Sequence, residues 1–194
     1  MSHTYPINQI FFSLQGEGAF TGTPSVFVRF SGCNLHCPWC DTDFAASEEY
    51  TVEEIIQTIQ LRISGPIPPN FHVVLTGGEP SLFVDQALIN ALKAEGYFVC
   101  IETNGTGSLP QGIDWVTCSP KRGSHIVLRE AQEVKVVYDG TSPEQWIQQI
   151  ESFHYLLQPL EQNGKTNLKE TLNYIFDHPW WRLSVQLHKM AGFL

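Results

Sequence analysis

The chain has 194 residues, 42% of them hydrophobic, and its acidic residues outnumber the basic ones 20 to 11, which gives a formal net charge of −9. This composition excludes a disordered chain, because the apolar content suffices for a sizeable core, and the negative charge disfavours a nucleic-acid partner. No secretory signal begins the chain and no run approaches the ~18 apolar residues of a membrane span, so we expect a cytoplasmic protein with one domain over residues 1–194 and no membrane partner.

Short apolar runs rich in β-branched residues predict strands that are covered on both faces, as in parallel sheets. They lie at 25–30, 71–77, 97–103, 114–119, 133–138, 154–158 and 182–187. Helical patterns lie at 51–63, 84–96, 142–153 and 166–179. Thr51 with Glu54 predicts a capping box, and Ser142 before Pro143 predicts a second helix start.

The order of these elements is largely β-α-β-α, which is typical of an α/β domain. Residues 104–113 and 120–132 connect predicted strands but carry Gly, Pro and Ser without a helical period. We therefore predict a partial, open (β/α) barrel of about six to seven mostly parallel strands with fewer helices than strands.

Polar or glycine-rich segments follow four of the predicted strands. They are 31–33, 76–80, 102–105 and 119–121. Ligand sites of parallel α/β folds gather at the carboxyl ends of the strands, so these segments are expected to face one site.

Three cysteines occur within eight residues, at Cys33, Cys37 and Cys40. A structural zinc site needs four closed ligands, usually from paired C-x2-C units, and here that unit occurs once. A 4Fe–4S cluster held by three thiolates leaves one iron open to a reactant, and the ligand count favours this interpretation over zinc or inert cysteines. Cys100 and Cys118 stand alone in strand-like runs, so we predict that both are buried core residues.

The C-x3-C-x2-C spacing, with Trp39 before the last cysteine, resembles the signature of the radical S-adenosylmethionine (SAM) enzymes. The resemblance implies that Cys33, Cys37 and Cys40 hold a 4Fe–4S cluster whose open iron chelates SAM. Reductive cleavage of SAM then gives a 5′-deoxyadenosyl radical that takes a hydrogen from the substrate.

Further segments are similar to the SAM-binding segments of that superfamily, and they occur in the same order along the chain. The residues that the resemblance assigns to SAM are Thr76, Gly77, Gly78, Glu79, Glu102, Asn104, Ser119, Lys121 and Gln158. From the residues alone, each segment could also be an ordinary turn or a solvated loop.

Residues 14–22, Arg29, residues 40–44 and residues 184–189 together resemble the 7-carboxy-7-deazaguanine synthases. The resemblance implies conversion of 6-carboxy-5,6,7,8-tetrahydropterin to 7-carboxy-7-deazaguanine with loss of ammonia, in queuosine and 7-deazapurine biosynthesis. The radical removes the C6 hydrogen, and SAM is regenerated. The resemblance also implies Mg²⁺, a flavodoxin or ferredoxin as electron donor, and a homodimer.

The substrate contacts implied by this resemblance lie at both ends of the chain. They are Leu14, Gln15, Gly16, Glu17, Arg29, Gly77 and His188. Arg29 suits a substrate carboxylate because a guanidinium binds it in bidentate fashion, although an ion pair at the sheet rim is the alternative. Glu17 can accept the N–H groups of a pterin.

A magnesium site is expected just after the last cysteine of the cluster. Residue chemistry alone would choose Asp41 and Asp43 as the ligands, because Mg²⁺ prefers carboxylates. The resemblance instead assigns the metal contact to Thr42.

Two other functions remain open on the sequence. One is another small radical SAM enzyme, such as an activase of glycyl-radical enzymes, which acts on a partner protein. The other is a zinc or iron–sulfur module without catalytic activity, which would leave the glycine-rich strand ends unexplained.

Overall fold

A mostly parallel sheet forms the centre of the computed structural model, which describes residues 3–193. Its nine strands are β1 (Tyr5–Leu14), β2 (Pro24–Phe30), β3 (Glu48–Tyr50), β4 (His72–Gly77), β5 (Phe98–Thr103), β6 (Trp115–Cys118), β7 (Glu130–Tyr138), β8 (Glu151–Pro159) and β11 (Trp181–Leu183). A separate hairpin is formed by β9 (Glu161–Gln162) and β10 (Lys165–Thr166). The order across the sheet is β11-β8-β7-β6-β5-β4-β2-β1-β3.

The seven strands from β11 to β2 in this order pair in parallel, which confirms the predicted α/β class. β1 and β3 extend the sheet at one side by antiparallel pairing. The order has two edges, β11 and β3, so the sheet is open.

Five helices accompany the described strands, fewer than the strands themselves, as predicted. They are α1 (Val52–Arg62), α2 (Gln86–Ala94), α3 (Glu144–Gln149), α4 (Leu168–Asp177) and α5 (Leu187–Ala191). α1 begins with the predicted capping box, in which Glu54 N–H donates to Thr51 Oγ1 over 3.3 Å and Thr51 N–H donates to Glu54 Oε2 over 2.8 Å. No α-helix lies between β5 and β6 or between β6 and β7, which confirms the two helix-free connections.

The helix predicted over 142–153 is wrong in its second half. α3 ends at Gln149, Ile150 is extended, and Glu151 already pairs with Glu130 of β7. The long ladder between β7 and β8 thus overrides the helical propensity of this segment. The helix start is also wrong, because Pro143 rather than Ser142 is the N-cap.

The strand predicted over 182–187 is wrong beyond Leu183. The strand ends before Ser184. The Ser184 hydroxyl donates to Gln158 Oε1 and accepts a hydrogen bond from Gly18 N–H. Leu187 N–H donates to Gly16 O over 2.8 Å, so the chain turns toward the end of β1 and continues as α5. The sequence did not predict β1, because its buried residues are interrupted by partly or fully exposed ones. The parallel strands were recognised by continuous apolar runs, which β1 lacks.

Apolar packing covers both faces of the sheet. On one face, a first cluster joins β2, β4 and β5 to α1 and α2, and a second joins β7, β8 and β11 to α3 and α4. A smaller cluster around Phe27, Val74 and Cys100 lies on the opposite face. Cys100 and Cys118 are 4% and 0% exposed, which confirms them as core residues. Within residues 3–193, the helices are too short or too polar to cross a membrane.

Candidate active site

A cavity of about 710 Å³ opens at the carboxyl ends of the parallel strands. All predicted site residues except Glu79 line it. They are Leu14, Gln15, Gly16, Glu17, Arg29, Cys33, Cys37, Cys40, Thr42, Thr76, Gly77, Gly78, Glu102, Asn104, Ser119, Lys121, Gln158 and His188. The fold therefore brings together residues from both ends of the chain, and a cavity of this volume suits small-molecule ligands.

The cysteine loop leaves the end of β2 and forms one wall of this cavity. Cys33, Cys37 and Cys40 are free thiols, with Cys40 exposed and the other two half-buried. Within residues 3–193, no three His, Cys, Asp or Glu side chains converge on one point as they would around a single metal ion. A cubane cluster presents its irons at separate corners, so three thiolates that do not converge on one point can still hold it.

Glycines at the end of β4 allow it to lie against the cysteine loop. Gly77 has φ +126°, which L side chains rarely adopt, and a Cβ atom on Gly78 would overlap the carbonyl oxygen of Gly32. Gly78 N–H donates to Phe30 O over 3.1 Å, and Glu79 N–H donates to Gly32 O over 2.9 Å. A larger residue at position 78 would push the loop away from the strand ends.

Glu79 lies behind the cavity wall. Its side chain is 1% exposed, and its carboxylate accepts hydrogen bonds from Thr103 Oγ1 at 2.5 Å, Asn104 N at 2.6 Å and Ser81 N at 3.0 Å. The carboxylate thus holds the end of β5 against the end of β4, while its contact with SAM stays a prediction.

Asn104 and Lys121 extend the wall on the far side of Glu79. Asn104 Nδ2 donates to Asn34 Oδ1 over 3.0 Å, which ties the end of β5 to the cysteine loop. Lys121 Nζ donates to Ser119 Oγ over 2.7 Å and lies 5.6 Å from the centre of the Trp39 ring. Burial lowers the pKa of Lys121, with the nearby Cys37 among the groups that oppose the shift.

Arg29 points its guanidinium toward the cavity from β2. It lies over the Phe11 ring at 5.0 Å, and its buried Nε has no hydrogen-bond partner. Burial lowers the pKa of Arg29, against the attraction of Glu102 and Asp41. No ion pair of Arg29 occurs within the described residues, so the alternative of a rim ion pair is not supported, and a buried unpaired donor is costly unless a ligand meets it.

Glu17 and Glu102 stand side by side across the cavity floor. Glu17 Oε1 accepts from Gln186 Nε2 at 2.9 Å and from Gln158 Nε2 at 3.2 Å, and its Oε2 accepts from Lys135 Nζ at 2.5 Å. Gln158, predicted at SAM, therefore also supports Glu17.

Glu102 completes the floor beside Glu17. It accepts from Gln15 Nε2 at 3.0 Å and from Thr76 Oγ1 at 3.2 Å, and Lys135 Nζ lies 3.8 Å from its Oε1. The sequence reasoning missed Lys135 because it lies inside an apolar strand run. A charged residue in such a run was the available signal.

The C-terminal helix α5 closes the remaining side. Lys189 Nζ donates to Asp41 Oδ2 over 2.6 Å, and the His188 ring lies where a Cβ atom on Gly16 would be. Burial raises the pKa of Asp41, but the hydrogen bond and the charge of Lys189, together with the hydrogen bond from Gln186, outweigh it and the net shift is downward. Asp43 accepts from Ala45 N–H at 3.1 Å, so both aspartates that flank Thr42 already have partners.

Comparisons with known proteins give consistent findings. Residues 27–154 match the model of the radical SAM superfamily. The 7-carboxy-7-deazaguanine synthase of Bacteroides thetaiotaomicron is 50% identical over 95% of this chain and 96% of its own, and that of Haemophilus influenzae is 39% identical over 97% and 93%. The crystal structure of QueE from Escherichia coli matches with a TM-score of 0.78 and 28% identity over 95% of both chains.

Proposed function

The chain belongs to the 7-carboxy-7-deazaguanine synthases of the radical SAM superfamily, and we propose that its cavity converts 6-carboxy-5,6,7,8-tetrahydropterin to 7-carboxy-7-deazaguanine with loss of ammonia. The observation that carries the proposal is the buried, unpartnered Arg29 Nε beside the cysteine loop. It supplies a donor for a ligand carboxylate in the same cavity as three free thiols.

The residues present fit the two groups that the family uses. The thiols of Cys33, Cys37 and Cys40 would hold the 4Fe–4S cluster, and the closely packed ends of β4 and β5 would hold SAM. When bound together, these groups supply a 5′-deoxyadenosyl radical that removes the C6 hydrogen of the substrate.

The chain's own residues bind and orient the substrate. Arg29 offers N–H groups to the substrate carboxylate, and the position of a bound pterin would then be fixed at its other end by Glu17 and Gln15. Such two-ended binding limits the orientations in which C6 can meet the radical, which is the main contribution that a protein makes to this chemistry. His188 lies against Gly16 and is placed to close the cavity over the ring.

Magnesium is proposed at Thr42, whose side-chain oxygen would hold the ion beside the cysteine loop, where its charge would help to neutralise the substrate carboxylate. The pairing of Asp41 with Lys189 and of Asp43 with Ala45 N–H supports Thr42 over its neighbours. Mg²⁺ keeps most of its waters and needs few protein oxygens, so one threonine and the substrate carboxylate suffice.

We further propose that the enzyme is a cytoplasmic homodimer that receives electrons from a flavodoxin or ferredoxin. The exposed aromatic side chains of Phe153, Phe176 and Trp180 support an apolar interface. Light scattering on the purified protein would distinguish a dimer from a monomer.

The test is an anaerobic assay of reconstituted protein with dithionite, SAM, Mg²⁺ and 6-carboxytetrahydropterin, with products identified by mass spectrometry. We expect 7-carboxy-7-deazaguanine to form and SAM to be regenerated. 5′-Deoxyadenosine without that product would retain the radical chemistry and overturn the substrate. Neither product from a fully loaded cluster would overturn the function.

A further inference from the structure

We propose that Lys135 is a positioning residue for the pterin subsite, holding the carboxylates of Glu17 and Glu102 side by side as acceptors for N–H groups of the ring. The inference deepens the proposed function and rests on it. Lys135 would not touch the reacting atoms, and it would act through the two carboxylates.

The geometry places one buried cation between two carboxylates that line the cavity. The Lys135 side chain is 6% exposed and projects from β7 beneath the cavity floor. Its Nζ lies 2.5 Å from Glu17 Oε2 and 3.8 Å from Glu102 Oε1. The cation attracts both carboxylates and offsets the repulsion between them, so both can face the same part of the cavity.

The direction of the pKa shifts agrees with this arrangement. Burial raises the pKa of Glu17, but the charge and hydrogen bond of Lys135, the hydrogen bond from Gln186 and the nearby His188 together outweigh it, and the net shift is downward. Burial lowers the pKa of Lys135, but Glu102, Glu17 and Glu133 outweigh it and the net shift is upward. Lys135 is therefore charged and Glu17 ionised at neutral pH.

A third carboxylate, Glu133, faces the same cation and completes its surroundings. Glu133 is 1% exposed and accepts from Ala19 N–H at 2.6 Å. Burial raises its pKa, so it takes up a proton more readily than an exposed glutamate. Of the three carboxylates around Lys135, only Glu17 and Glu102 line the cavity, so these are the two that the lysine can orient toward a ligand.

The hydrogen-bond inventory shows what this pair can recognise. An ionised carboxylate has about four acceptor directions. Glu17 uses three of them, on Lys135, Gln158 and Gln186, and Glu102 uses two on Gln15 and Thr76. Acceptor directions remain on both, so the pair suits a ligand with neighbouring N–H donors, such as the amino-pyrimidine edge of a pterin.

The experiment compares Lys135→Met with Lys135→Arg in the anaerobic assay of the reconstituted holoenzyme. We expect Lys135→Met to raise the KM for 6-carboxytetrahydropterin by about 10- to 100-fold, as loss of a charge-assisted contact implies, and Lys135→Arg to restore it to within about threefold. Iron content should stay at wild-type levels in both variants. SAM binding should also stay unchanged, because we assign Glu102 to the pterin subsite rather than to the SAM contacts that the sequence resemblance implies; weakened SAM binding would overturn the inference. Lys93→Met is the matched control, because it removes an equally short ion pair with Asp114 that lies outside the cavity, and its KM should not change.

A double variant separates positioning from a general loss of structure. In a Glu17→Gln background, Lys135→Met should raise KM clearly less than it does in the wild-type background, because only Glu102 is then left for the lysine to orient. An unchanged KM in Lys135→Met, or full additivity of the two substitutions, would overturn the inference. If Lys135→Met fails to load iron, the KM values of the double variant and of Lys135→Arg decide whether Lys135 positions the carboxylates. Absence of product from the wild-type enzyme would instead overturn the proposed function and this inference with it.

Discussion

Arg29 and Lys135 are both cations on otherwise apolar strands, yet their surroundings differ. Lys135 is matched by carboxylates of the chain itself, whereas the buried Nε of Arg29 has no partner. A buried charge is stable only when something pairs with it, so the unpaired guanidinium marks where ligand charge is expected. At the scale of single residues, the partners of a charged side chain thus separate a structural role from a binding role.

Replacing Arg29 by Gln should weaken binding of the substrate carboxylate. We expect the KM for 6-carboxytetrahydropterin to rise by about 10- to 100-fold, because a charge-assisted, bidentate contact is lost. Inhibition by a tetrahydropterin that lacks the carboxylate should be affected far less, since that ligand cannot use the guanidinium. Equal losses for both ligands would assign Arg29 to the ring or to folding instead.

Replacement of any one of Cys33, Cys37 and Cys40 by Ala should abolish a stable 4Fe–4S cluster, because two thiolates cannot hold it. Iron content and the visible absorption of the reconstituted protein measure this. Cys100→Ala is the control, because that thiol is buried in the core outside the cavity, and it should bind iron normally. Full iron loading in any of the three loop variants would show that the ligand assignment is wrong.

Thr42→Ala should raise the Mg²⁺ concentration needed for half-maximal activity and leave the iron content unchanged. The physical reason is the loss of one of the few protein oxygens that the metal is proposed to use. Asp43→Ala is the control, because its carboxylate caps Ala45 N–H. A shifted magnesium titration in Asp43→Ala with none in Thr42→Ala would return the ligand role to the aspartate.

At the scale of elements, the strands that could be predicted from the sequence are those with an unbroken run of buried residues. β2, β4, β5 and β7 are largely buried on both faces, so their apolar runs were visible in the sequence. β1 is half-exposed over its second half and was missed, although its end carries Leu14 and leads into Gln15 and Glu17. The α3 prediction failed for the opposite reason, since pairing with β7 outweighs local propensity.

The capping box of α1 offers a test of this element. Thr51→Ala should lower the free energy of unfolding by about 1 kcal/mol, because the first turn loses a side-chain acceptor. Thr58→Ala is the control, because that hydroxyl lies inside the same helix and donates only to a carbonyl already within it, the Glu54 O. Urea unfolding measures both variants, and equal effects would argue against the cap. The KM should not change in either variant, since α1 does not line the cavity.

At the scale of the whole molecule, the site draws on the fold more than on any one motif. The cysteines, the glycines after β4 and the asparagine after β5 are neighbours in short sequence motifs, so they could be identified in advance. The ion pair of Lys135 with Glu17 and that of Lys189 with Asp41 each join residues more than 90 positions apart. Only the fold of the whole chain brings these partners together. No local pattern carries such information.

The whole chain should lose stability in acid. Asp85, Asp139, Glu17 and Asp41 all have pKa values below their ordinary range because hydrogen bonds and nearby cations outweigh burial. The folded state therefore binds fewer protons than the unfolded state. These four carboxylates stabilise the folded state above their ordinary pKa of about 4. That contribution to the free energy of unfolding is lost as the pH falls through their lower pKa values in the folded state.

Urea unfolding of the cluster-free chain, followed by circular dichroism from about pH 6 to about pH 3, would measure this loss. Asp85→Asn with Asp139→Asn should reduce the slope below pH 4, because Asn can cap a helix but cannot titrate. A slope unchanged by this double substitution would contradict the assignment of the effect to these carboxylates.

The residues that line the site run from Phe11 to Phe193, and this spacing has a consequence for biosynthesis. Asp41, next to the last loop cysteine, is 148 positions ahead of its partner Lys189. At about 5–20 residues per second, the ribosome needs on the order of ten seconds to add that length. Throughout this interval the thiols are outside the closed cavity and open to oxidants. We therefore expect the cysteine loop to be protected from oxidants only after translation, when the helix that carries Lys189 can pack against Asp41.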